Sequence, residues 1–188
     1  YIGKLDRRFN ETSVRLPAFQ KSAQLDILVE TTGRVNYGKA IIDRKGINGK
    51  VYLNEGGTDK ELCNWKVYNF PVDAGFQEKL KYENLKGTGP GWYKAEFTLK
   101  KTADTYLDMR GWGKGMVWIN GQNLGRYWKI GPTQTMFVPG TWLKKGTNTI
   151  IVFDLDSHAN PVVNGITNPI FEMVSDSSLL HRKEGETL

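Results

Sequence analysis

Apolar and polar residues alternate along this chain in short runs. Residues 24–30 (QLDILVE), 49–54 (GKVYLN), 92–99 (WYKAEFTL), 105–111 (TYLDMRG), 115–121 (GMVWING), 134–140 (QTMFVPG) and 147–155 (TNTIIVFDL) are rich in β-branched and aromatic side chains. Such residues suit a pleated, half-buried surface. Gly, Asn, Asp and Pro cluster between the runs, as turns require. No segment keeps apolar residues at helical spacing for more than about two turns. Short strands joined by turns predict an all-β protein, an antiparallel sandwich or barrel.

The run WINGQNLGRYW, residues 118–128, admits two readings. As a hairpin, its alternating apolar positions lead into Asn120-Gly121, a pair that accepts positive φ at low cost. Trp118 and Ile119 then face opposite ways, and one of them belongs to the core. As a binding surface, Trp and Tyr rings would stack on the apolar face of a sugar while Asn, Gln and Arg bond its hydroxyls. Trp112, Tyr127 and Trp128 are the candidate sugar-binding residues on that reading.

An internal repeat is also visible. YIGKLDRR (1–8) aligns with NLGRYWKI (123–130), and RLPAF (15–19) with FVPGTW (137–142). Gly3 and Pro17 have the same separation as Gly125 and Pro139, and LDILVE (25–30) answers TIIVFD (149–154). The repeat predicts two related β-sandwiches in tandem. Residues 1–63 would be the C-terminal half of a first sandwich truncated at its start, with unpaired strand edges that seek partners. Residues 64–175 would be a complete sandwich, stable by itself, and residues 176–188 a polar, mobile tail.

Charge and composition remove several function classes. The net charge is +6, but lysines and arginines are scattered among acidic residues, without a nucleic-acid recognition motif. A solvated surface is the better reading, and no nucleic-acid partner is expected. No apolar run approaches the roughly 20 residues that cross a bilayer, so no membrane partner is expected either. Cys63 is the sole cysteine, which leaves no internal disulfide and no multi-cysteine zinc site. His158 and His181 lack companion ligands, so no metal or other cofactor is expected. Asp154 and Asp156, two apart on a strand, suit turn chemistry or a cation.

Catalytic patterns are missing as well. GTGPG (87–91) lacks the Lys-Ser/Thr that a phosphate loop needs. No nucleophile elbow or Cys–His pair occurs. A glycosidase needs two carboxylates flanking one bond, and no such pair is evident. The chain alone is expected to be catalytically inactive.

GKLDRR (3–8), LDILVETTGRVNYG (25–38), the pattern D.KGI.G.V.LN at 43–54 and the long run 110–155 together resemble the C-terminal β-domains of glycoside hydrolase family 35 β-galactosidases. The resemblance covers nearly the whole chain except the interior of the linker and the tail. GRVNYG and WINGQNLGRYW.IGPTQT.FVPG are its specific parts. It implies a jelly-roll sandwich of the galactose-binding-like type, preceded by a partial second sandwich. It also implies an N-terminal (β/α)8 barrel, the expected partner, which holds both catalytic glutamates of a retaining mechanism. No position here matches either glutamate motif. The implied parent releases terminal β-galactosyl residues, with a galactoside as the expected ligand and an extracytoplasmic location (periplasmic, secreted or lysosomal). In GRVNYG the resemblance suggests a loop near the barrel, with Tyr37 at the substrate entrance and Asn36 and Arg34 supporting it. A plain turn bracketed by Gly33 and Gly38 explains the same residues.

Overall fold

A β-rich run becomes a strand only where a neighbour takes up its backbone hydrogen bonds. The computed structural model describes residues 1–18, 22–33, 39–42, 44–83, 88–131, 134–156 and 161–171. Within these the strands are β1 (Tyr52–Glu55), β2 (Thr58–Glu61), β3 (Gly91–Leu99), β4 (Thr105–Asp108), β5 (Lys114–Ile119), β6 (Gln122–Trp128), β7 (Thr135–Val138), β8 (Gly146–Asp154) and β9 (Asn164–Ile166). The chain divides into one unit of Tyr1–Leu16 with Val72–Arg182, and another of Pro17–Pro71 with Lys183–Leu188.

The larger unit is a β-sandwich. One sheet has the order β3-β8-β5-β6, the other β7-β4-β9, and the pairings are antiparallel. Leu107 from β4, Met136 and Val138 from β7, Val117 and Ile119 from β5, Tyr127 from β6, and Ile150 and Val152 from β8 share one buried cluster. Both sheets thus present one face to a common core. In β8 the period of two is plain: Asn148, Ile150, Val152 and Asp154 are buried, and their neighbours less so. The inward row therefore begins and ends on a polar side chain.

The Asn120-Gly121 hairpin forms between β5 and β6. Asn120 has φ 49° and Gly121 φ 81°, the left-handed pair that a two-residue hairpin turn requires. Asn120 also cross-links the sheet. Its side-chain nitrogen donates to the Trp142 carbonyl and to Asn148 Oδ1, both at 2.8 Å, and its Oδ1 accepts the Thr149 N–H at 2.9 Å. The register shifts between Val117 and Trp118, which pair with Gly125 and Asn123. Leu124 is the extra residue of the resulting bulge.

Trp118 and Ile119 do face opposite ways, yet both are buried. The outer face of the larger sheet carries its own aromatic cluster. Trp92 lies 5.6 Å from Trp118, 4.8 Å from Phe153 and 5.7 Å from Phe76 of the single helical turn α1 (Ala74–Gln77). Burial on one side was the expectation for an ordinary half-solvated sheet; this cluster covers the other side too.

Other expectations fail for a physical reason. Residues 24–30 form no strand, and Ile27, Leu28 and Val29 are exposed. Their backbone has no strand partner among the described residues, whereas the equivalent run in β8 is flanked by β3 and β5. Tyr1–Arg8 likewise does not reproduce β6. It leads into a 3-10 turn, Arg7–Phe9, capped by the Asp6 side chain, and it belongs to the sandwich unit. In the smaller unit, β1 and β2 form a hairpin around Gly56-Gly57, braced by Asn54–Asp59 and Lys50–Glu61 side-chain bonds. None of its described residues is buried.

One glycine is set by close approach. A Cβ at Gly115, inside β5, would overlap the Phe153 carbonyl oxygen and lie 2.7 Å from the Tyr127 hydroxyl. Gly115→Ala is expected to destabilise the sandwich by about 3 kcal/mol or more. Gly111→Ala, with nothing within 4 Å of its Cβ position, should stay within about 1 kcal/mol of the parent in urea melts. Equal stability of the two variants would contradict this packing.

Candidate functional site

At one end of the sandwich a buried carboxylate organises three chain segments. Asp154 closes the inward row of β8 and is fully buried. Its Oδ2 accepts the Tyr127 hydroxyl at 2.6 Å and the Gly113 N–H at 2.9 Å, and its Oδ1 accepts the Asp156 N–H at 2.6 Å. A carboxylate out of water needs such donors, because burying it unpaired costs several kcal/mol. Gly115 pairs with Tyr127 on one side and Asp154 on the other, so the Tyr127 hydroxyl reaches across a strand that has no side chain at that point. Burial, then the neighbouring Asp154 charge, pushes the Tyr127 hydroxyl far above its ordinary pKa of 10.0, and it stays protonated.

Beside this carboxylate lies a cleft of about 410 Å³, lined by Tyr1, Lys4, Arg110, Trp112, Lys129 and Asp156 with small or backbone surface between them. Lys4 Nζ is 2.8 Å from Asp156 Oδ1, and Lys129 Nζ is 3.7 Å from its Oδ2. The hydrogen bond to Asp156 holds the Lys4 pKa above its ordinary value. Arg110 lies against Asp108, Nη2 to Oδ2 at 2.8 Å, and holds that carboxyl below the usual range. The Tyr1 ring covers Gly89, where a Cβ would meet it at 2.5 Å. The walls are tied together: Lys129 N–H donates to the Gly113 carbonyl and Leu155 N–H to that of Lys114. Among the described lining residues Asp156 carries the carboxylate.

The sequence-derived candidates fall in different places. Trp112 is buried; its ring meets Tyr93 edge-on at 5.0 Å and its Nε1 donates to the Val162 carbonyl at 2.9 Å. Tyr127 is buried on Asp154. Trp128 is half-buried, with the Lys114 ammonium 4.2 Å and the Arg8 guanidinium 5.0 Å from its ring centre. Arg34, Asn36 and Tyr37 lie outside the described residues, as do His158 and His181. Asp154 and Asp156 turn apart, one into the core and one into the cleft. Lys4, Arg110 and Lys129 were not foreseen, since lone basic residues carry no local signal. The phase of Asn148, Ile150, Val152 and Asp154 did carry one, because it places the aspartate inward.

Comparison with known proteins agrees with this architecture. Residues 1–71 match the model of the β-galactosidase first all-beta domain, and residues 90–148 that of the β-galactosidase galactose-binding domain. The chain belongs to the β-galactosidase family and carries its accessory β-domains. It is 41% identical over 175 residues to beta-galactosidase-1-like protein 2 of Homo sapiens, covering 89% of this chain and 26% of that protein. It is 37% identical over 179 residues to beta-galactosidase 17 of Arabidopsis thaliana, covering 84% and 25%. With the beta-galactosidase of Xanthomonas manihotis the identity is 36% over 141 residues, covering 73% and 22%. The chain thus spans about a quarter of the length of these relatives.

The buried bond has a pH signature. The Tyr127 pKa is raised by folding, so its contribution is fully present below the unfolded value near 10 and is lost as pH rises above it. Tyr127→Phe leaves Asp154 short of one donor, and is expected to cost about 1–3 kcal/mol at pH 7. It should also flatten the fall in stability above about pH 10. Urea melts between neutral and alkaline pH check both; identical melts for parent and variant would contradict the role given to the hydroxyl.

Proposed function

We propose that this chain is the non-catalytic β-part of a retaining β-galactosidase that hydrolyses terminal β-galactosyl residues. Its domains brace the catalytic barrel, and a loop of the first lines the substrate entrance. The observation that carries this reading is the tandem match to two β-galactosidase accessory domains on a chain a quarter as long as its relatives. The use of Trp112 and Tyr127 as core supports in the sandwich favours a scaffold role for them. Tyr37, with Asn36 and Arg34, supplies the entrance on the family resemblance.

The chain by itself is expected to release no galactose from aryl or alkyl β-galactosides, because general acid and nucleophile must both be present. In the full enzyme, Tyr37→Ala is expected to lower kcat/KM roughly tenfold, about 1.4 kcal/mol of transition-state stabilisation. Trp128→Ala should leave it within about twofold, with folding checked by thermal melts. A larger loss for Trp128→Ala at an unchanged melt would reverse the assignment of scaffold and entrance.

A further inference from the structure

We propose that the cleft beside Asp154 binds a tetrahedral oxyanion, a sulfate or phosphate group, through its lysine side chains Lys4 and Lys129. Among the described lining residues Lys4, Arg110 and Lys129 are basic, and Asp156 alone is acidic. Two further carboxylates stand behind this lining. Asp108 takes up one edge of Arg110, whose Nε and Nη2 donate to its two oxygens at 3.0 and 2.8 Å. Asp154 is fully buried, and its oxygens face the Tyr127 hydroxyl and the Gly113 and Asp156 N–H groups. Lys4 and Lys129 are left to share the one carboxylate of Asp156.

They do not share it equally. Lys4 Nζ makes a hydrogen bond of 2.8 Å to Asp156 Oδ1, whereas Lys129 Nζ stands 3.7 Å from Oδ2, too far for one. An ammonium is a compact charge with three donors, and it seeks acceptors for them. An oxyanion with several acceptor oxygens answers Lys129 and can take a second donor at once. A planar carboxylate is matched best by a guanidinium fork, and one edge of the Arg110 fork is already on Asp108. The backbone under these charges is set before a ligand arrives: Lys129 N–H donates to the Gly113 carbonyl at 2.7 Å, and Asp156 N–H to Asp154. The cleft of about 410 Å³ lies within the range of small-molecule sites. A net charge of +6 on the chain also favours the approach of anions.

This inference rests on the charges of the cleft and is independent of the bracing role. The test titrates the isotope-labelled chain with sodium sulfate, with phenyl sulfate and with sodium chloride at matched ionic strength, following backbone amide shifts. Saturable shifts at Arg110–Gly113, Lys129 and Leu155–Asp156 are expected with sulfate, at a dissociation constant on the order of millimolar. Chloride should give no saturable shift there. Lys129→Ala should weaken sulfate binding about tenfold. Asp156→Asn removes the competing charge but keeps an acceptor for Lys4, and should tighten binding about threefold. Lys60→Ala, in the β1–β2 hairpin, should bind like the parent, and unchanged amide shifts away from the cleft report that each variant is folded. Tighter binding of phenyl sulfate than of sulfate identifies an ester as the ligand, and equal binding the free ion. No saturable shift up to about 50 mM sulfate, an equal response to chloride, unchanged binding in folded Lys129→Ala, or unchanged or weaker binding in folded Asp156→Asn would overturn the proposal.

Discussion

The sandwich end depends on one constraint: a buried carboxylate on β8 must be supplied with donors from elsewhere. Tyr127 provides one from β6, Gly113 another from the loop before β5, and Asp156 a third from the chain beyond β8. The donors are obligatory, because a lost partner leaves a charge in a medium that solvates it poorly. From this follow the missing side chain at Gly115 and the burial of a tyrosine on a strand with no other buried residue. The cleft geometry follows too, since two of its lining residues are the donors themselves.

Scaffold and candidate site are therefore made by different kinds of residue. The aromatic side chains expected at a sugar surface largely serve packing: Trp112 and Tyr127 in the core, and Trp92 and Trp118 in the cluster behind the sheet. The polar groups with room for a ligand come from single basic residues and one aspartate on loops, where a rigid sandwich holds them. The N-terminal segment joins them through Lys4 on Asp156 and Arg8 over Trp128. The part-buried Arg8 guanidinium over the Trp128 indole contributes on the order of 1 kcal/mol, enough to bias such a segment toward the docked position.

Much of the fold was legible in local pattern. The long runs at 92–99 and 147–155 became the paired strands β3 and β8, and Asn120-Gly121 became the turn between β5 and β6. Pattern failed where pairing decides. Residues 24–30 have the composition of a strand but no strand neighbour among the described residues, and Tyr1–Arg8 shares letters with β6 without pairing as β6 does with β5. β9 is too short for alternation to show, and it exists because β4 offers it an edge. The cleft was not legible at all. Lys4, Lys129 and Asp156 are far apart in sequence, and only the closure of the sandwich brings them together.

The central claim is that the Tyr127–Asp154 bond, made across Gly115, holds this end of the sandwich together. A double-mutant cycle with Tyr127→Phe, Asp154→Asn and the double variant measures it directly in urea melts at pH 7. The account predicts a coupling of about 1.5 kcal/mol or more. It also predicts that either single variant disturbs the amide resonances of Gly113 and Asp156. Additive effects within about 0.5 kcal/mol, with those two resonances unmoved, would contradict it.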